Sequence, residues 1–438
     1  MAGNRISFVD AFRFWLKLGL ISFGGPAGQI AIMHQELVEK RRWLSEKRFL
    51  HALSYCMVLP GPEAQQLATY IGWLMHRTLG GVVAGLLFIL PSLILLIALS
   101  WAYMAFGHVP WVGGLFYGVK PAVTAIVLQA ALRVGGRALN HWSFWVIAVA
   151  AFLALAVFHL PFPLIIVTAA AIGVIGGRLA PALFRGAGHK TTQTTHAPAI
   201  IDDDTPSPAH TRFRWPRLIG VLAAGLLLWG LPFGALGLCL GWQHPMTLMA
   251  LFFSQTALLT FGGAYAVLPY IQQAAVSQYG WLTAPQMMDG LALGETTPGP
   301  LIMVVTFVGF VAAWQNGWWH GHEVLAGIAG AVIVTWFTFL PSFVFILAGG
   351  PIVESSRGDL TFTAPLTAIT AAVVGVIANL AVFFAGHVLW PKGIDAPIDV
   401  AALMIMIAAA VALIRFRANI MAVIAACAIV GMLVSIWQ

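Results

Sequence analysis

Charge is what this sequence has least of. Asp, Glu, Lys and Arg make up only 8% of its 438 residues, against about a quarter in an ordinary soluble domain. So few charges cannot coat a water-facing surface. With 60% hydrophobic residues and a mean hydropathy of +0.90, the chain reads as an all-α polytopic membrane protein. Cysteine is almost missing too. Cys56, Cys239 and Cys427 each sit in an apolar run and none forms a CxxC pair. Neither a disulfide framework nor a zinc knuckle is indicated, and buried inert thiols are expected. There is no HExxH, no paired-aspartate motif and no Gly-rich phosphate loop with a lysine. That speaks against a membrane enzyme acting on lipid or anionic head groups, and no cofactor, metal or catalytic residue is expected. The N-terminus lacks a signal-peptide pattern, because Arg13 and Lys17 interrupt what would be its apolar core. The first membrane segment is therefore expected to stay in the mature protein.

What the chain does have is long hydrophobic runs. Thirteen apolar segments lie near 12–33, 50–75, 79–106, 113–132, 142–159, 161–184, 218–240, 246–273, 286–313, 323–349, 364–388, 397–414 and 416–437. Each is near the ~20 residues that a spanning helix needs. One stretch stands apart: residues 185–217 are polar, rich in Thr and Pro and without periodicity. They read as a solvated, disordered linker on the cytoplasmic side, and the acidic run Asp202–Asp204 as a solvated one rather than a metal site.

Around this linker the sequence repeats itself. Residues 22–62 match 260–300 without a gap, at a constant offset of 238 (260 minus 22). "SFGG" answers "TFGG", "RWLS" answers "GWLT", and "LPGP" answers "TPGP"; further on, "LPS" at 90–92 recurs at 340–342. The expected organisation is an N-terminal repeat over 1–184, the linker 185–217, a connecting helix over 218–240 and a C-terminal repeat over 241–438. Six segments, a seventh as connector and six more would insert the second copy upside down. That is the inverted-repeat plan of many secondary transporters, whose sites lie where the repeats meet.

The distribution of basic residues refines the topology. Were all thirteen segments to span, the loop 40–48, with Lys40, Arg41, Arg42, Lys47 and Arg48, would face opposite the basic linker region. Either orientation would then leave a basic cluster outside, against the positive-inside rule. If instead the first two segments of each copy are re-entrant hairpins, almost all of the 22 Lys and Arg fall inside. Only Lys392 stays outside, and Lys120 lies within a segment. The hairpins of the second copy then face outward.

The FGG and PGP signatures lie in the middle of those four hairpin segments. Glycine permits a tight turn, proline removes a backbone donor, and broken backbone at membrane depth survives only where protein buries it or a watery cavity receives it. The breaks are therefore expected to be hairpin tips. A half-helix starting at such a tip directs unpaired N–H groups and a partial positive charge at an anion. The candidate substrate-binding residues are Ser22, Gly24, Gly25, Pro60, Gly61 and Pro62 in the first copy. Thr260, Gly262, Gly263, Thr296, Thr297, Pro298, Gly299 and Pro300 are their counterparts in the second. Pro62 and Pro300 are read as first-turn prolines, where a missing N–H costs nothing; the bland alternative is that Gly and Pro only tune helix packing. Intramembrane charges are costly and hence functional candidates. Lys120 either pairs with the anion or snorkels to the outer interface. Glu63 and Glu295 are coupling carboxylates or, for Glu63, an electrostatic cap. Gln65, Gln66 and Asn379 are weaker buried candidates. His320, His322 and Glu323, in "WWHGHE", have some metal-ligand character but fit an interfacial aromatic belt better.

These motifs carry a resemblance. "SFGGP", "EKRRWLSEKRF" and "LPGPEAQQLATYIG" resemble the chromate ion transporter family, and "TFGG…YGWL…GETTPGPL" is similar to that family's C-terminal half. "GVKPAV" and both "LPS" stretches match as well, so the likeness covers nearly the whole chain. The departures are the long polar linker and Ala264, which stands where the first copy has Pro26. The resemblance implies two fused homologous halves of opposed topology and export of chromate across a bacterial inner membrane, with sulfate as a competitor. The expected function is a secondary transporter and not an enzyme; an oxyanion permease is the nearest alternative. Its expected partners are chromate or sulfate and the lipid bilayer, without nucleic acid; a homodimer is compatible with this reading.

Overall fold

The computed structural model describes residues 6–23, 25–184, 199–202, 209–316, 319, 321–356, 363–393 and 395–437. Helices account for nearly all of it. Among the described residues there is no β-strand, only an isolated parallel bridge between Leu44 and Ile201. The first half of the chain forms α1 (Phe8–Ile21), α2 (Gly25–His34), α3 (Glu46–Val58), α4 (Glu63–Phe106), α5 (Pro110–Ala138), α6 (Trp142–Ala156), α7 (Phe162–Leu179) and the short α8 (Pro181–Phe184). After the linker come α9 (Trp215–Cys239), α10 (Pro245–Leu259), α11 (Ala264–Gln272), α12 (Ala284–Thr296), α13 (Val304–Gln315), α14 (Glu323–Ser356), α15 (Thr363–Leu389), α16 (Val400–Ile414) and α17 (Ile420–Trp437).

Among the described residues, six helices are long and apolar enough to cross a membrane: α4, α5, α7, α9, α14 and α15. The remaining apolar segments do not form single long helices. The expected segment 12–33 is divided between α1 and α2, and 50–75 between α3 and the start of α4. Segments 50–75 and 79–106 run into one another through α4, whose helix breaks at His76 and at Arg77, where φ is +57°.

The matched signatures build matched elements. Ser45 of "RWLS" caps α3 by accepting from the Arg48 N–H, and Thr283 of "GWLT" caps α12 in a reciprocal capping box with Gln286. Such caps satisfy N–H groups that the first helical turn leaves open. The segment after each FGG signature also carries one turn of π-helix at the same offset, Gln35–Lys40 and Gln273–Gln278.

Two large apolar cores, with two smaller clusters beside them, occur among the described residues. One joins α1, α3 and the first part of α4 to Ile346 and Val353 of α14. The larger gathers α5 with α10 to α13 and α15 to α17. The helix α9 belongs to neither core's centre. Leu222, Leu226, Leu227, Leu231 and Leu238 all face outward. Cys239 is exposed on this helix, whereas Cys56 and Cys427 are buried; the expectation of three buried thiols holds for two.

The linker is not wholly loose. Residues 199–202 lie along the loop 40–48: Ile200 N–H donates to the Arg42 carbonyl at 3.0 Å, Ile201 N–H to that of Trp43 at 3.0 Å, and Ser45 N–H to that of Ile201 at 3.1 Å. Ala209–Thr211 form a 3₁₀ turn, and His210 Nε2 meets the Trp73 carbonyl at 3.0 Å. Burial pushes the His210 imidazole below its ordinary value. Residues 185–198 and 203–208 lie outside the described residues.

Candidate functional site

The four breaks meet in two crossed pairs. Gly61, in the first PGP, donates its N–H to the carbonyl of Thr260 at 2.7 Å, and Gly299, in the second, donates to that of Ser22 at 2.8 Å. Ser22 and Thr260 are themselves counterparts, each just ahead of a Gly pair. Each PGP tip therefore closes on the FGG break of the other half. The serines of the two "LPS" stretches complete the pattern: a Cβ on Gly61 would collide with Ser342 Oγ, and one on Gly299 with Ser92. Both glycines also hold φ values, +127° and +109°, that a side chain disfavours. Only glycine fits these tips, for both reasons at once.

Side-chain amides fasten the same contacts. Gln29 Nε2 donates to the Gly299 carbonyl at 2.5 Å and to that of Ser22 at 3.3 Å. Gln66 Nε2 donates to the Pro60 carbonyl at 2.7 Å and to Ser342 Oγ at 3.3 Å. Pro62 and Pro300 take the position just ahead of the first turn rather than within it. Gly25 and Gly263 are half-buried and Gly262 is exposed, in contrast to the buried PGP glycines. Gly24 lies outside the described residues.

The polar groups at the breaks divide sharply. The hydroxyl of Thr260 donates to the Thr256 carbonyl, that of Thr296 to Ala292 and Leu293, and that of Thr297 to Gly294. The tip N–H groups of Gly61 and Gly299 are likewise engaged. Ser22 Oγ and Ser92 Oγ, by contrast, are fully buried and have no hydrogen-bond partner among the described residues. The carbonyl oxygens of Gln29, Gln65 and Gln66 are in the same position. Buried polar groups are nearly always paired, so these atoms stand out as ones whose hydrogen-bonding capacity the described residues do not fill. Pro298 is buried as well.

The carboxylates differ from one another. Glu295, near the end of α12, is buried and accepts the Tyr265 hydroxyl at 2.5 Å. Glu63 stands in the first turn of α4, where a negative charge suits the helix dipole. Asn379 is only half-buried on α15. His320 lies outside the described residues, and no cluster of three metal-ligating side chains occurs among those described.

Lys120 is not among the break residues. It lines a cavity of about 300 Å³ with Tyr103, His108, Phe116, Gln286 and Asp289. Its Nζ stands 3.7 Å from Asp289 Oδ2, which also accepts the Tyr103 hydroxyl at 3.0 Å. Sequence reasoning missed Asp289, although a lone acid amid "PQMMDGLALG" is itself the signal for a functional intramembrane charge. It also missed Gln29, and it treated Ser92 and Ser342 only as marks of repetition.

Comparison with known proteins gives this architecture its kin. The profile of the chromate transporter family matches residues 9–174 and 247–432, one stretch in each half. The chain is 35% identical over 375 residues to the chromate transport protein of Pseudomonas aeruginosa, covering 85% of this chain and 80% of that one. It is 27% identical over 378 residues to the chromate transport protein of Cupriavidus metallidurans, covering 85% and 81%. An uncharacterised transporter of Bacillus subtilis matches at 30% identity over 138 residues, which are 32% of this chain and 70% of its own length. No solved structure matches the chain. A helical, apolar, multi-pass protein whose two halves both fit one transporter profile, this chain belongs to the chromate transporter family.

Proposed function

We propose that the protein is a secondary transporter that exports chromate, and accepts sulfate-like oxyanions, across the bacterial inner membrane. The observation that carries this reading is the crossed latch, in which Gly61 bonds to Thr260 and Gly299 to Ser22. Two contacts at equal offsets, each running from one half to the other, are what inverted copies would make about a shared axis. Transporters of this plan bind their cargo where discontinuous helices of the two repeats face each other. Lengths favour re-entrant hairpins as well. The 14 residues of α1 reach about 21 Å at ~1.5 Å per residue, short of the ~30 Å hydrocarbon core.

The anion would be held at these breaks by the unpartnered hydroxyls of Ser22 and Ser92, within the set running from Ser22 to Pro62 and from Thr260 to Pro300. In this conformation the latches occupy the tip N–H groups. Opening one latch would free an N–H for the anion and loosen one half from the other, which links binding to a change of access. Energetics favour export. With the cell interior negative, moving a dianion outward gains roughly 4.6 kcal/mol per 100 mV, equivalent to a gradient of about a thousandfold.

Chromate uptake into everted membrane vesicles tests the reading. Uptake that depends on this protein, collapses with the membrane potential and is inhibited by sulfate is expected. Potential-independent vesicles that take up sulfate but no chromate would replace it with a sulfate permease.

A further inference from the structure

Asp289 is a buried acid that the transport reading leaves without a task. It is 2% exposed on α12, in the wall of the cavity that Lys120 enters. Its Oδ2 faces the Lys120 ammonium at 3.7 Å and the Tyr103 hydroxyl at 3.0 Å, whereas Oδ1 has no partner among the described residues. The cluster joins the two halves, since Tyr103 and Lys120 come from the first and Asp289 from the second. Lys120 and His108 bring the basic groups to the cavity wall, and Asp289 is its one acid. The other helices packed on α12 are α13, α15 and α17; their only titratable side chains are His387 and Cys427.

This geometry makes Asp289 a rival of any anion for Lys120. The side chain of Lys120 is 27% exposed and that of Asp289 only 3%, so an anion in the cavity can reach the ammonium while the carboxylate stays out of water. Two negative groups on one ammonium repel strongly where the dielectric constant is low. A proton relieves the conflict. It can come from solvent and settle on Oδ1, the oxygen that lacks a donor, leaving Lys120 to the incoming anion. Nothing else changes hands: one proton is bound, and no covalent bond to carbon, oxygen or metal is made or broken.

We propose that Asp289 is a proton-binding site coupled to occupancy of Lys120 by an oxyanion, so that one proton is bound whenever the anion is. The proposal rests on the transport reading and deepens it. Glu295, which accepts from Tyr265, does not compete for this task, because it is not among the residues lining the cavity with Lys120.

Calorimetry on the purified full chain tests the idea, with chromate titrated between about pH 7.5 and about pH 9, where the free anion carries no proton. Wild-type protein is expected to bind more weakly as pH rises, by up to about tenfold per pH unit for one linked proton. Its heat of binding should differ between buffers of different ionisation enthalpy by the amount due to one proton taken up. Asp289→Asn, which keeps the shape, should bind with an affinity and a heat independent of pH and buffer. Buffer-independent heat in a wild-type protein that does bind chromate would overturn the proposal and leave the transport reading intact. So would undiminished proton uptake in Asp289→Asn. A wild-type protein that binds neither chromate nor sulfate would overturn both.

Discussion

At the scale of single residues, two kinds of position carry opposite expectations. Lys120 acts through charge. If its ammonium contacts a desolvated anion, Lys120→Gln removes a charge-assisted contact worth about 1.5–3 kcal/mol. The dissociation constant for chromate should then rise roughly tenfold to a hundredfold. Lys120→Arg should restore it only in part, because a planar fork does not replace a compact ammonium. Equilibrium binding is the proper readout, and a constant within twofold of the parent would remove Lys120 from the anion path. Gly61 and Gly299 act through shape. Leucine at either must enter a disfavoured φ and push aside Ser342 or Ser92 of the opposite half. Each variant should reach the membrane at normal level yet lose transport, and parental transport by either would reduce the tips to packing features. The need for glycine was legible in the sequence because the motif is printed twice. The partners of those glycines were not: a crossed contact depends on how two halves dock, and no local pattern encodes that. Asp289 was legible in principle, since charge inside an apolar helix is conspicuous whatever it touches.

At the scale of elements, the breaks were readable and the tertiary ties were not. "RWLS" and "GWLT" were read only as marks of repetition, with segments expected from 50 and 286, whereas their hydroxyl residues Ser45 and Thr283 cap α3 and α12 a few residues earlier. Nothing in "APAIID" predicts that residues 199–202 would lie on the loop 40–48, because four residues show no periodicity and the pairing uses backbone alone. The same region holds a buried ion pair. Arg48 Nη1 donates to Glu354 Oε2 at 3.3 Å, and Tyr70 hydroxyl donates to Glu354 Oε1 at 2.7 Å. Arg48 also reaches the Asp202 carbonyl from Nε at 3.1 Å, so α3, α14 and the linker meet at one guanidinium, and α4 joins them through Tyr70 on the paired carboxylate. The side chains of Arg48 and Glu354 are 8% and 5% exposed. Removing one member of a buried pair takes away the other's counter-charge, at a cost of about 3–5 kcal/mol. Glu354→Gln should therefore lower the thermal midpoint of the detergent-solubilised protein markedly. Arg48→Met combined with Glu354→Gln should recover much of the loss, since no charge is then left alone. If Glu354→Gln melts with the parent, the pair contributes nothing to holding the hairpin on α14.

At the scale of the whole molecule, charge and contact lead to one topology. The count of Lys and Arg gathers the loop 40–48 and the linker on one side only if the early segments of each copy are re-entrant. The hydrogen bonds from Ile200 and Ile201 to Arg42 and Trp43 independently require that loop and linker share a side. A chain of thirteen spanning helices would separate them by the width of the bilayer and break those bonds. By the positive-inside rule that shared side is expected to be the cytoplasm, with residues 276–284 and Lys392 then expected to face out. Single cysteines in a background freed of Cys56, Cys239 and Cys427 test this on intact cells with a membrane-impermeant maleimide. Removing Cys239 matters most, because it is the exposed native thiol. Lys47, Gln278 and Lys392 are all exposed, so access rather than burial decides their labelling. Lys47→Cys should stay unlabelled until the cells are opened, whereas Gln278→Cys and Lys392→Cys should react at once. Labelling of Lys47→Cys from outside would mean that the loop does not share a face with a cytoplasmic linker, and the re-entrant arrangement would fall with it.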